Sequence, residues 1–236
     1  MFLKYAFVDY RISDEEYCNL LKLNCNIIKC EPSSTLYEAI CGHPDILLHF
    51  IDNTKVIIHR ETSEEFKFKL SSLNLNVLRS ENSLTAKYPQ DIILNGVNTD
   101  MAFIHTLSNT DPRLLNEVSN KKLITVKQGY TKCSTVVLNN NAFITSDKSI
   151  YQALTSNEWD VLLIHPGNIL LPGLNYGFIG GTCGMLNSTT IVFYGSLKHH
   201  PQYNEMIDFL NKYNITPIYL SDGPLIDRGS IFFLDI

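Results

Sequence analysis

His43 and Asp45 stand two residues apart in Gly42-His43-Pro44-Asp45, and Cys133 follows ninety residues after His43, between Lys132 and Ser134. A thiol, an imidazole and a carboxylate are the groups of cysteine-dependent nucleophilic catalysis. The thiolate attacks an electrophilic carbon, the imidazole moves protons, and a carboxylate holds a cationic substrate. In that scheme Cys133 is the nucleophile, His43 its acid–base partner, and Asp45 or Asp91 the cation clamp. Lys132 is placed to lower the thiol pKa. The plainer alternative makes Cys133 a small buried apolar side chain and His43-Pro44-Asp45 a turn bonded to itself.

A second set centres on Cys183 in Gly-Phe-Ile-Gly-Gly-Thr-Cys-Gly-Met-Leu (177–186). Glycines such as Gly180 and Gly181 let backbone approach a ligand, and their N–H groups could form an anion nest. Asp91 would be the acid–base group beside Cys183. The alternative is a tight loop needing positive φ. Asp222, Asp227 and Arg228 would bind a polar ligand, Asp227 foremost, or close a loop ion pair. His165 reads as a loop residue, with a place on a cavity wall as the alternative, and His199-His200 as a helix entry. The glycine order fits neither a phosphate loop nor a dinucleotide fingerprint. No Cys/His spacing matches a zinc site, so neither a metal nor a cofactor is predicted.

Composition narrows the function classes. The chain has 236 residues with a formal net charge of −5, so no basic surface invites nucleic acid. No apolar run is long enough to span a bilayer. The opening MFLKYAFVDYR is interrupted early by Asp9 and Arg11, unlike a secretory leader. Six cysteines without paired spacing read as reduced thiols of a cytoplasmic protein, with Cys18, Cys25 and Cys30 as packing residues.

The elements that must position these residues recur along the chain. Helices are predicted at Asp14–Leu23, Thr62–Leu73 (with a Thr62/Glu65 capping box), Asp111–Ser119, Asp147–Asn157 and Pro201–Tyr213. Each leads into a short apolar strand, at 26–29, 76–79, 123–126, 160–164 and 216–220, of the kind covered on both faces. A hairpin follows each: 44–59, 90–105, 132–145, 182–195 and the unfinished 227–236. The first two align without a gap, Asp45 over Asp91. Asp45, Asp91, Cys133, Cys183 and Ser230 are then equivalent positions. Pairing strand Phe2–Tyr10 with 230–234 would complete the fifth unit and remove an open edge. The expected architecture is a single α/β domain over 1–236, a five-bladed propeller of pseudo-fivefold ββαβ units closed by its terminal strands.

Five such units resemble the pentein, or guanidine-modifying enzyme, fold of arginine deiminase, dimethylarginine dimethylaminohydrolase, agmatine deiminase and glycine amidinotransferase. Ribosome anti-association factors share that fold without catalysis. The segments GHPDILLH (42–49), KQGYTKCSTVVL (127–138), AFITSD (142–147), DVLLI with PG-I-LPG (160–173) and YGFIGG (176–181) are similar to an uncharacterised bacterial family assigned to it. The resemblance implies a Cys late in the last unit and a His two units earlier. This chain has Ser230 near the first place, and Gly-Tyr-Thr-Lys-Cys-Ser without a His at the second. It implies either a hydrolase or amidinotransferase acting on a small amidine or guanidine, or a non-catalytic binder of a small ligand or a macromolecule. Convergence of Cys133 and His43 on an open axial pocket would favour the enzyme.

Overall fold

Among the described residues, fifteen strands and six α-helices follow one another in a recurring order. The chain runs β1 (Lys4–Asp9), α1 (Asp14–Lys22), β2 (Cys25–Cys30), α2 (Pro44–Leu47), β3 (Leu48–Asp52), β4 (Lys55–Ile58), α3 (Glu64–Ser71) and β5 (Asn76–Arg79). It continues with β6 (Val97–Asn98), β7 (Ala102–His105), α4 (Pro112–Glu117), β8 (Lys122–Thr125), β9 (Thr135–Val137), β10 (Ala142–Thr145), α5 (Lys148–Thr155) and β11 (Asp160–Leu163). The last elements are β12 (Cys183–Asn187), β13 (Thr190–Phe193), α6 (Tyr203–Lys212), β14 (Thr216–Tyr219) and β15 (Phe232–Asp235). The computed structural model describes residues 3–235. Phe2, at the head of the predicted first strand, and Ile236, at the end of the fifth hairpin, lie outside them.

The strands form five three-stranded sheets: β3-β4-β5, β6-β7-β8, β9-β10-β11, β12-β13-β14 and β15-β1-β2. In each, the first pair is antiparallel and the second parallel, with a helix making the crossover. The two ends of the chain meet as expected. Strand β15 pairs antiparallel with β1, Phe232 against Phe7 and Asp235 against Lys4.

Local chemistry explains the helix starts. Ser13 and Glu16 form a reciprocal capping box on α1. Asp111 and Asp147 cap α4 and α5, as their sequence implies. The predicted Thr62 cap is corrected. Ser63 caps α3 through the Phe66 N–H, while the Thr62 hydroxyl donates to the His59 carbonyl.

Burial corrects a second expectation. The apolar strands after each helix are the outer ones, β2, β5, β8, β11 and β14, and most of their residues are partly exposed. The middle strands hold the core, with β7 and β10 wholly buried. A strand paired on both edges and covered by a helix has no face left for water. Cys25 and Cys30 are buried, but Cys18 is exposed on α1.

The ladders also correct the proposed equivalences. His49, Val97, Val136, Gly184 and Phe233 each face the third residue of their middle strand. Three residues before them stand Ile46, Leu94, Cys133, Gly181 and Ser230. Cys133 and Ser230 are therefore equivalent, as predicted. Asp45 falls one residue before its place, Asp91 three before, and Cys183 two after. The gapless alignment fails because the one-turn helix α2 precedes β3, whereas turns precede β6.

Candidate functional site

Strands β3, β6, β9, β12 and β15 surround one cavity of about 1080 Å³, each contributing lining residues such as Phe50, Asn98, Val136, Gly184 and Phe232. The predicted site residues lie where these strands begin. Cys133 precedes β9, Ser230 precedes β15, and Asp45 sits in α2 just before β3.

There the side chains converge. Cys133 Sγ lies 3.1 Å from both carboxylate oxygens of Asp45. Ser230 Oγ is 2.7 Å from Asp45 Oδ2 and 2.9 Å from the Gly180 carbonyl. Lys132 Nζ donates to Ser230 Oγ at 2.9 Å and sits over the Phe232 ring. Ser230 has φ of 70°, a left-handed conformation that a serine seldom adopts. Asn95 fastens the cluster: its Oδ1 accepts from the N–H groups of Lys132 and Cys133, and its Nδ2 donates to the Asp45 carbonyl.

His43 completes the group. Its exposure is 1%, as is that of Asp45, and that of Cys133 is 2%. The ligating atoms of His43, Asp45 and Cys133 all fall within 4.8 Å of one another. Neither ring nitrogen of His43 has a hydrogen-bond partner among the described residues. Its Nδ1 lies 3.8 Å from Asp227 Oδ1.

The electrostatics reverse one expectation. Lys132 was placed to lower the Cys133 pKa, yet burial pushes that thiol well up, and the Asp45 and Asp227 carboxylates push it further. The Lys132 ammonium is on Ser230 instead. It does act to lower the pKa of Cys183, but burial outweighs it and that thiol is pushed up to about 12. Burial also raises the Asp227 pKa, with the nearby His43 opposing and Asp45 adding to the rise.

Other predicted residues are separated from the cluster. Asp91 is bonded to the Tyr130 hydroxyl, which in turn meets Tyr37 Oη at 3.1 Å. It forms no pair with Cys183. Gly180 and Gly181 are not an open nest. Both are buried, and the Gly181 N–H is used by the Cys133 carbonyl. Neither has positive φ, and a Cβ on Gly180 would collide with the Lys132 and Thr135 carbonyls. Asp227 does not pair with Arg228. It accepts from the N–H groups of Phe178 and Gly229, while Arg228 Nε meets Glu16. His165 is exposed and absent from the cavity lining. Of the predicted site residues, Lys132 and Cys183 line the cavity, whereas His43, Asp45 and Cys133 do not. The three groups converge on one another but not on the open cavity, since all are buried and none lines it.

Sequence reasoning missed Asn95 and the Tyr37–Tyr130 pair. Asn95-Gly96 has the look of a turn, and the only hint was a polar residue closing the run Ile92-Ile93-Leu94. No spacing announces the tyrosines.

Residues 7–232 match the model of a family of unknown function, DUF6873. The chain belongs to that family. No curated protein matches the sequence. Among solved structures, SxtG, an amidinotransferase from Microseira wollei, is 11% identical with a TM-score of 0.57, over 92% of this chain and 88% of the other. DDAH from Pseudomonas aeruginosa, solved with citrulline, is 10% identical with a TM-score of 0.56, over 100% of each chain. C. jejuni agmatine deiminase is 12% identical with a TM-score of 0.56, over 94% of this chain and 90% of the other. Likenesses this remote show the fold, which is the pentein α/β fold with its five small sheets. No helix is long and apolar enough to cross a membrane.

Proposed function

We propose that residues 1–236 form one closed five-bladed propeller domain that takes a small amidine or guanidine cation and transforms it by cysteine chemistry, as a hydrolase or amidinotransferase. The single observation that carries the reading is Cys133 Sγ against Asp45, with His43 in reach. The remote amidinotransferase and agmatine deiminase likenesses support the substrate class.

The residues have separate roles in this scheme. Asp45 and Asp227 hold the cation, His43 takes the Cys133 thiol proton as the sulfur attacks the carbon, and His43 then passes that proton to the departing amine. Water, or the amine of an acceptor, then releases the carbon from sulfur. In the resting protein burial, reinforced by the Asp45 and Asp227 carboxylates, keeps the thiol protonated. A bound cation offsets the carboxylates' share of the pKa rise and so favours the thiolate.

A second reading, binding without turnover, is favoured by the seclusion of Cys133 from the cavity. One experiment separates the two. Full-length protein is incubated with a panel of guanidino and amidino compounds, quenched in acid and analysed by mass spectrometry. The enzyme reading expects a ureido or transferred product and a covalent adduct on Cys133, absent from Cys133→Ser. Thermal stabilisation by a compound with neither adduct nor product would establish the binder.

A further inference from the structure

We propose that His43, Asp45 and Cys133 form a binding site for a zinc-type divalent metal ion. The three residues come from two distant stretches, the segment before β3 and the segment before β9. Their ligating atoms lie within 4.8 Å of one another, and all three side chains are buried. One imidazole, one carboxylate and one thiolate around a small centre is a borderline-soft donor set. It suits Zn²⁺, bound at about 2.0–2.3 Å from each ligand, and is unsuited to Mg²⁺ or Ca²⁺, which take oxygen alone.

His43 is the independent observation that points to a ligand. A wholly buried imidazole ordinarily satisfies at least one nitrogen, because stripping water from a polar atom without replacement costs free energy. Here both nitrogens are without a hydrogen-bond partner among the described residues. The ring nevertheless stands in the same small volume as Asp45 and Cys133. A metal ion bonded to one nitrogen accounts for this orientation.

The surroundings fit the same assignment. Asp227 Oδ1 lies 3.8 Å from His43 Nδ1, near enough for its charge to act on the ring but beyond hydrogen-bond distance. Asp227 is itself fixed by the N–H groups of Phe178 and Gly229. Ser230 Oγ, on Asp45 Oδ2, steadies the carboxylate from the other side. Three protein ligands leave a fourth tetrahedral position for water or another small donor.

The ion would occupy the same three side chains that the guanidine reading uses, so the two occupancies exclude each other, and metal binding is tested with no guanidino compound present. Full-length protein is stripped with a chelator and titrated with Zn²⁺ against a chromophoric competitor, then with Co²⁺. The expected result is one ion per chain, with a thiolate-to-cobalt charge-transfer band in the near ultraviolet and visible bands of tetrahedral strength. Cys133→Ser should abolish the charge-transfer band. His43→Gln should keep the band and weaken affinity by at least about 100-fold, since loss of even an outer-shell partner costs about 10–100-fold. Cys183→Ser should leave both unchanged. Circular dichroism and thermal melts establish that each variant is folded, and His43→Gln serves if Cys133→Ser is not. Failure of wild-type protein to take up the ion, or binding that survives Cys133→Ser and His43→Gln together, would overturn the assignment.

Discussion

Cys133 and Asp45 touch, sulfur to carboxylate, across a separation of 88 residues. The contact is asymmetric in its effects. Burial, together with the Asp45 and Asp227 carboxylates, favours the neutral thiol, so the protein holds a potential nucleophile in its unreactive form.

Alkylation reads that state directly. At neutral pH iodoacetamide should modify exposed Cys18 first and Cys133 at least about tenfold more slowly, because thiolate fraction and access set the rate. Asp45→Asn removes the adjacent charge and should raise the Cys133 rate. Peptide mapping by mass spectrometry follows both sites. Equal rates at Cys18 and Cys133 in the wild type would contradict a sealed, protonated thiol.

Gly229 supports His43 from behind. Its φ is +71°, and a Cβ there would overlap the His43 side chain. Gly229→Ala should therefore cost about 3 kcal/mol in urea unfolding, from the left-handed conformation and the collision together. Gly223→Ala, where a Cβ meets nothing within 4 Å, is the control and should change stability little.

Two buried histidines outside the Cys133 cluster, His49 on the cavity wall and His105, set an acid limit. Burial pushes His49 down to about 4 and His105 down to about 3 from the ordinary 6.5. Both are neutral in the fold, and the unfolded chain binds their protons first. Their contribution is complete above pH 6.5 and is lost as pH falls through about 4 and 3, at up to about 1.4 kcal/mol per pH unit for each. Asp91 and Asp227, whose pKa values are raised, act in the opposite sense. Comparing wild type with His49→Gln/His105→Gln isolates the histidine part. The variant's unfolding free energy should fall less steeply below pH 6.5, and parallel curves would refute the assignment.

The Tyr130 hydroxyl donates to Asp91 Oδ2, and Asp91 Oδ1 is buried with no partner among the described residues. Tyr130→Phe leaves the carboxyl group without its donor and should cost about 1–3 kcal/mol in chemical unfolding. Asp91→Asn/Tyr130→Phe should restore part of the loss. A strictly additive double variant would show that the two groups are not coupled.

The chain by itself determined the order of elements and the closing pair of strands. Periodicity, capping residues and apolar runs are local signals, and they act over one turn or one strand. They led to Asp111 and Asp147 as caps, to the equivalence of Cys133 with Ser230, and to the meeting of β1 with β15. The tertiary structure decided which residues share a site. A single extra helical turn at Pro44–Leu47 shifts Asp45 by one residue toward Cys133, while the turns around Asp91 carry it away to Tyr130. The choice between an activated and a silenced thiol was also made there. Charge effects depend on distance and burial, and Lys132, adjacent to Cys133 in sequence, places its ammonium on Ser230.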